Sequence, residues 1–122
     1  MTLAVWCLAA LLGGCGAVAR FLIDGAIAQR LRGDFPFGTL VVNLTGAVLL
    51  GVTVGIALRG SEAVLVGAAA IGAYTTFSTW MFETHRLAED GELHHAYANV
   101  VISLAVGLLA AVLGRFIGAH LL

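Results

Sequence analysis

The sequence predicts an all-α membrane protein with four transmembrane helices, and three observations support this fold class. First, 61% of the 122 residues are hydrophobic and only 11% are charged, whereas an ordinary soluble domain is about 45–50% apolar and about 25% charged. Second, four apolar segments each reach the roughly 20 residues that a helix needs to cross a bilayer. Third, these segments are continuous, whereas the strands of a membrane barrel would alternate apolar and polar residues.

The four segments form a single domain, residues 1–122, with short polar breaks between them. Only Arg20 and Asp24 interrupt the first segment, and Pro36 precedes the second, where the start of a helix tolerates proline. A net charge of −1 leaves no basic patch for nucleic acid, so membrane lipid is the expected surrounding. The expected spans cover residues of about 3–28, 38–58, 63–82 and 96–117.

The arginines give almost no preference for one orientation in the membrane. Four spans place both termini on one side, where Arg59 and Arg115 also lie, against Arg30, Arg32 and Arg86 on the other side. Because arginine and lysine counts normally set orientation, this near-balance predicts insertion in both directions and an antiparallel dimer. The alternative is that the N-terminal flank or a partner sets one orientation.

Small residues recur every four positions along the second and fourth spans. In lipid, small residues let helix backbones approach closely, so these ladders predict tight helix packing. Four short helices enclose little of a pore alone, so an oligomer is also expected. The ladders consist of Ala47, Gly51 and Gly55 on the second span, and of Ser103, Gly107 and Ala111, followed by Gly114 and Gly118, on the fourth.

Neutral polar residues occur inside the second and third spans. Thr39 and Asn43 lie one turn apart on one helix face; the Asn43 amide either bonds a neighbouring helix or donates to a permeating anion. In the third span, four hydroxyl residues fall between Thr75 and Thr79. Such residues compete for backbone hydrogen bonds and predict a break in the third helix, the alternative being an unbroken helix.

The charged and imidazole side chains support less specific expectations. Arg20 and Asp24, four residues apart, can pair on one helix face in a structural role, the alternative being that Arg20 extends to the membrane interface. Glu83 is either a vestibule residue or a plain interfacial charge. The adjacent His94 and His95 are expected on different helix faces, in solvent, rather than at a metal site. No catalytic set is present in the sequence, so an enzyme is not expected.

Three motifs resemble the Fluc (CrcB) family of bacterial fluoride channels. These are Arg20 within Gly16-Ala17-Val18-Ala19-Arg20-Phe21, then Gly38-Thr39-Leu40-Val41-Val42-Asn43, then Thr75-Thr76-Phe77-Ser78-Thr79 followed by Glu83. The resemblance covers nearly the whole chain. It implies a fluoride-selective channel in the bacterial plasma (inner) membrane that exports fluoride passively and lowers its toxicity. It also implies an antiparallel, dual-topology dimer with two pores and a central structural sodium ion.

The resemblance assigns roles to individual residues. It places Thr39, Asn43, Phe77 and Ser103 along the anion pathway, assigns the backbone carbonyls of Gly72 and Thr75 to sodium, and matches Glu83 to an acidic residue after the phenylalanine motif. Two positions depart from the family pattern. Trp80 replaces the second pore phenylalanine, and Asn99, with Tyr97 nearby, replaces a tyrosine of the fourth helix. The dimer is then either a homodimer or a heterodimer with a diverged paired subunit.

Two other functions fit a small four-span protein. A multidrug-type exporter usually needs an acid inside its first span, and the only candidate, Asp24, lies near the end of that span. A non-transporting subunit of a larger membrane assembly is the other alternative.

Overall fold

The computed structural model describes residues 2–57 and 62–122, and these residues are helical apart from short connections. Four stretches are long and apolar enough to cross a membrane, namely Leu3–Arg30, Phe37–Ile56, Glu62–Glu89 and Leu93–His120. The protein is therefore an all-helical, multi-pass membrane protein. The helices of the described residues are α1 (Leu3–Arg30), α2 (Phe37–Ala57), α3 (Glu62–Tyr74), α4 (Ser78–Glu89) and α5 (Leu93–His120).

Helix ends extend beyond the apolar cores from which the spans were predicted. Helix α1 continues to Arg30, and α5 begins at Leu93 and ends at His120. Polar residues at these ends continue the helical backbone while their side chains reach toward water. The predicted end of the second span, Leu58, and Arg59 lie outside the described residues.

A tight turn joins α4 to α5. Gly91 adopts a φ of 80°, in the left-handed region that glycine enters without steric cost. The N–H of Gly91 donates to the carbonyl of Ala88, and the N–H of Glu92 donates to the carbonyl of Leu87 at 2.8 Å. These bonds satisfy carbonyls at the end of α4 and start α5 directly afterwards.

The histidines at this turn differ from expectation. The rings of His94 and His95 lie together, with centroids 4.1 Å apart, so the prediction of different helix faces is wrong. Side chains of a first helical turn lean back toward the preceding residues, and both rings therefore reach Glu92.

Helices α2 and α5 pack backbone against backbone. A Cβ atom at Gly51 would meet the carbonyl of Ala111, and one at Gly114 would meet the carbonyl of Val48. Gly55 and Gly118 are confined in the same way. These glycines of the two ladders thus build the tight helix packing that the sequence predicts, and they do so within one chain.

Helix α1 is attached to α3 by a similar close approach. A Cβ atom at Gly16 would meet the carbonyl of Ala70 and the backbone nitrogen of Tyr74. No residue of α1 is fully buried within the chain, so part of its apolar surface is left uncovered by the chain's other described helices. The close contact at Gly16 therefore packs α1 against the last turn of α3.

We expect Gly16→Ala to destabilise the protein by about 1–3 kcal/mol, because the new methyl group overpacks the backbone of α3. The matched control is Gly14→Ala on the same helix, where a Cβ atom meets nothing within 4 Å; that change gains helix propensity. Thermal unfolding of the purified protein in detergent measures both. Equal stability losses would contradict the packing argument.

Candidate functional site

The polar residues of α2 face the short segment, residues 75–77, that separates α3 from α4. The Asn43 Nδ2 atom donates to the carbonyl of Thr76 at 2.9 Å, and the N–H of Thr76 donates to Asn43 Oδ1 at 2.9 Å. In a continuous helix, the N–H of Thr76 would donate to the carbonyl of Gly72. The Asn43 side-chain amide thus bonds both backbone groups of Thr76, at the point where helix α3 has ended.

Hydroxyl groups of the same segment complete the start of α4. The Thr76 hydroxyl oxygen accepts from the N–H of Thr79 at 3.2 Å and lies 3.1 Å from the Thr79 hydroxyl. The Thr75 hydroxyl donates to the carbonyl of Ile71 at 3.2 Å. These are the local side-chain-to-backbone bonds by which threonine competes with a regular helix.

Arg20 reaches this segment from α1. Its Nη1 atom donates to the carbonyl of Thr75 at 3.4 Å. Among the residues that the structure describes, no ion pair joins Arg20 to Asp24, although the sequence had suggested one. Asp24 instead lies against Gly38 at the start of α2, one helical turn after Arg20 along α1.

Glu83 contacts the beginning of α2. The Thr39 hydroxyl donates to Glu83 Oε1 at 2.9 Å, and Thr39 is 2% exposed. Glu83 Oε2 is buried and has no partner among the described residues. A plain interfacial charge would be hydrated, so this half-paired carboxylate fits the first of the two alternatives, a vestibule residue, better than the second.

A hydrogen bond joins Trp80 of α4 to Asn99 of α5. The Trp80 indole N–H donates to the backbone carbonyl of Asn99 at 3.0 Å. Asn99 is fully buried, and its Nδ2 atom donates to the Thr84 hydroxyl at 2.8 Å. Sequence analysis noted both residues as departures from a family pattern but missed their connection. The available signal was a lone amide in an apolar segment, because such a group requires a partner.

Phe77 lies at the surface of the chain. It is 70% exposed and meets Trp80 edge to face, with ring centroids 5.7 Å apart and planes at 81°. The two aromatic residues therefore form one cluster at the start of α4, of which the indole is tied to α5 and the phenyl ring is open to the outside.

Two cavities flank Asn43, and the predicted pathway residues meet at them. The first, of about 320 Å³, lies between α2, α4 and α5 and includes Asn43, Trp80 and Ser103 in its wall. The Ser103 hydroxyl is buried without a partner in the described part of the chain. The second, of about 240 Å³, is bordered by Asn43, Thr75, Thr76, Phe77 and Trp80.

A third cavity, of about 220 Å³, lies on the side of α1. Arg20, Asp24, Thr39, Thr76 and Thr79 contribute to its wall. Thr39 is thus separated from the first cavity, whereas Asn43, Trp80 and Ser103 share it. The walls of the first two cavities offer uncharged hydrogen-bond donors and aromatic edges, a set that is suited to binding a small anion. The third cavity adds the guanidinium of Arg20 together with the carboxylate of Asp24.

Comparison with known proteins gives a consistent family assignment. The sequence model of the family described as "CrcB-like protein, Camphor Resistance (CrcB)" matches residues 7–115. A protein of Mycobacterium tuberculosis named fluoride-specific ion channel FluC 2 is 53% identical over 117 residues, which cover 96% of this chain and 93% of that protein.

Two further relatives carry related names. The FluC 2 protein of Mycolicibacterium paratuberculosis is 55% identical over 114 residues, 93% of each chain. A protein of Symbiobacterium thermophilum named fluoride-specific ion channel FluC 1 is 42% identical over 119 residues, which cover 93% of this chain and 96% of the relative.

We expect Asn43→Leu to lower the free energy of unfolding by about 2–6 kcal/mol, because both the N–H and the carbonyl of Thr76 lose their partner and a buried unpaired polar group costs about 1–3 kcal/mol. Thr53→Val on the same helix is the control, since the Thr53 hydroxyl donates only to the carbonyl of Leu49 in its own helix. Thermal unfolding in detergent compares the two variants. A loss no larger than that of the control would contradict the bridging role of Asn43.

Proposed function

Because the chain belongs to the CrcB family, we propose that it forms a fluoride-selective ion channel through which fluoride leaves the cytoplasm passively, which lowers fluoride toxicity. Family membership over nearly the whole length carries this proposal. The protein is a channel subunit and not an enzyme, and its place is the bacterial plasma (inner) membrane. The geometry around Asn43 then suggests which residues the ion meets.

The proposed pathway runs along Thr39, Asn43, Phe77, Trp80 and Ser103. An anion entering low dielectric loses hydration at a cost of several kcal/mol, so the pathway must supply substitute donors. The Asn43 nitrogen carries two hydrogens, and its bond to Thr76 uses one, which leaves the second for the ion. The Ser103 hydroxyl has no described protein partner and supplies another donor.

Aromatic rings provide the remaining contacts of this pathway. The edge of an aromatic ring is electropositive, so Phe77, at the outer face of the chain, meets the anion edge-on. The indole N–H of Trp80 is already donated to Asn99. Trp80 therefore acts in the proposed pathway through its ring, as the phenylalanine expected at this position would.

We further propose that residues 75–77 interrupt the third span inside the membrane and that the carbonyls of Gly72 and Thr75 hold a structural sodium ion there. The residues fit such an ion, because carbonyl oxygens suit a hard cation. The N–H of Thr76, which would bond the Gly72 carbonyl in a continuous helix, donates to Asn43 instead. When bound, the ion supplies a fixed positive charge that offsets the cost of bringing an anion into the membrane. The Arg20 guanidinium at Thr75 adds charge of the same sign.

The proposed channel is an antiparallel, dual-topology dimer. Two observations support an assembly: Phe77 is largely exposed on the single chain, and two carbonyls from one chain supply only part of the coordination that a cation needs. The nearly balanced arginines permit both orientations. The names FluC 1 and FluC 2 among the relatives are compatible with paired subunits, so the partner is either a second copy or a diverged subunit.

Fluoride flux from liposomes tests the function directly. The purified protein alone, in liposomes loaded with potassium fluoride, is expected to release fluoride to an electrode once valinomycin carries the compensating potassium. Chloride-loaded liposomes and empty liposomes are the controls. Release of neither anion would contradict the channel as a homodimer, and flux that appears only with a co-expressed relative would identify a heterodimer.

We expect Ser103→Ala to lower fluoride flux by about two- to tenfold, since one neutral hydrogen bond contributes about 0.5–1.5 kcal/mol and about 1.4 kcal/mol corresponds to tenfold in rate. Stability is expected to stay unchanged, because the hydroxyl bonds no described residue. The same flux assay compares this variant with Thr53→Val. Unchanged flux in a stable dimer would remove Ser103 from the pathway.

A further inference from the structure

Three potential metal ligands converge where α5 begins, outside the proposed pathway. Glu92 Oε2 lies 3.1 Å from His95 Nδ1 and 3.5 Å from His94 Nε2. One ligand atom from each of the three residues lies within 4.8 Å of the other two. The three groups thus lie close together at the turn between α4 and α5.

The donor set and its spacing match a zinc site. Two imidazoles and one carboxylate form a set that binds Zn²⁺ with the fourth position open to water, at bond lengths of about 2.0–2.2 Å. Ligand atoms at the corners of such a tetrahedron lie about 3.3–3.6 Å apart, close to the 3.1 and 3.5 Å separations around Glu92 Oε2. His94 is 74% exposed, which leaves access for the ion and for a water ligand.

The surrounding contacts indicate that this arrangement is held in place. Glu92 occupies the N-cap position of α5, yet its side chain makes no capping hydrogen bond and is directed to the two imidazoles instead. The ring of His95 meets Phe35 edge to face with centroids 6.2 Å apart, and its side chain is two-thirds covered. Packing of this kind orients a ligand before the metal arrives.

We propose that Glu92, His94 and His95 bind one Zn²⁺, or a similar transition-metal ion, per chain. The bound ion fastens the first turn of α5 to the residue that precedes it. The site uses side chains that neither the proposed anion pathway nor the carbonyls of Gly72 and Thr75 employ. It is therefore independent of fluoride conduction, and a failure of either proposal leaves the other intact.

Zinc titration of the tag-free protein in detergent tests this proposal. Competition against a chromophoric chelator is expected to give one Zn²⁺ per chain, and Mg²⁺ is expected not to compete, because it prefers oxygen ligands. Co²⁺ in place of zinc is expected to give the visible absorption of a four-coordinate ion. No binding, or binding that Mg²⁺ abolishes, would overturn the site.

Variants assign the binding to these residues. We expect His95→Ala and Glu92→Gln to weaken zinc binding at least about tenfold. His94→Ala, at an exposed position that tolerates truncation, is expected to do the same with no loss of fold by circular dichroism. His85→Ala is the matched control, because His85 pairs with Glu89 at 3.1 Å on an exposed face of α4, away from the three proposed ligands. Equal weakening by His85→Ala, or none by the other three, would overturn the proposal.

Discussion

The pairing of the Asn43 amide with the backbone of Thr76 is the interaction on which the central part of this structure depends. In the proposed arrangement, where residues 75–77 interrupt the third span inside the membrane, their backbone has no water to bond, so protein groups must satisfy it. Asn43 does so with two 2.9 Å hydrogen bonds, which let α3 end and α4 begin without unpaired peptide groups at Thr76. The same contact ties α2 to this segment and brings Asn43, Phe77 and Trp80 to the walls of adjoining cavities.

The distribution of hydrogen-bond donors around these cavities gives each residue a different role. The indole N–H of Trp80 already donates to Asn99. Asn43 uses one of its two amide hydrogens in the bond to Thr76 and has the other available. The Ser103 hydroxyl has no partner among the described residues. In the proposed channel, a dehydrated anion is thus met by few donors, each positioned by a separate helix. Uncharged donors of this kind bind an anion weakly enough for it to leave again, which conduction requires.

Much of this fold follows from the sequence, since apolar length determines the spans and the family motifs identify most of the candidate site. The hydroxyl-rich stretch from Thr75 to Thr79 also indicated where side chains compete with helical bonding. Contacts that join distant segments were less predictable. Arg20 bonds Thr75 rather than Asp24, and Trp80 bonds Asn99, because such pairings depend on how helices cross and not on spacing along one helix. The close approach of the two histidine rings was missed because a helical-wheel argument ignores the lean of side chains in a first turn.

The glycine contacts between α2 and α5 have a consequence for size discrimination. The main chain has no rotamers, so helices that touch through their backbones hold a separation that side-chain motion cannot adjust. Asn43 and Ser103 project from these two helices into one chamber. In the proposed channel, the contact between the two helices fixes the spacing of these two donors. A larger halide would then have to force the helices apart, whereas a smaller one passes at the existing separation.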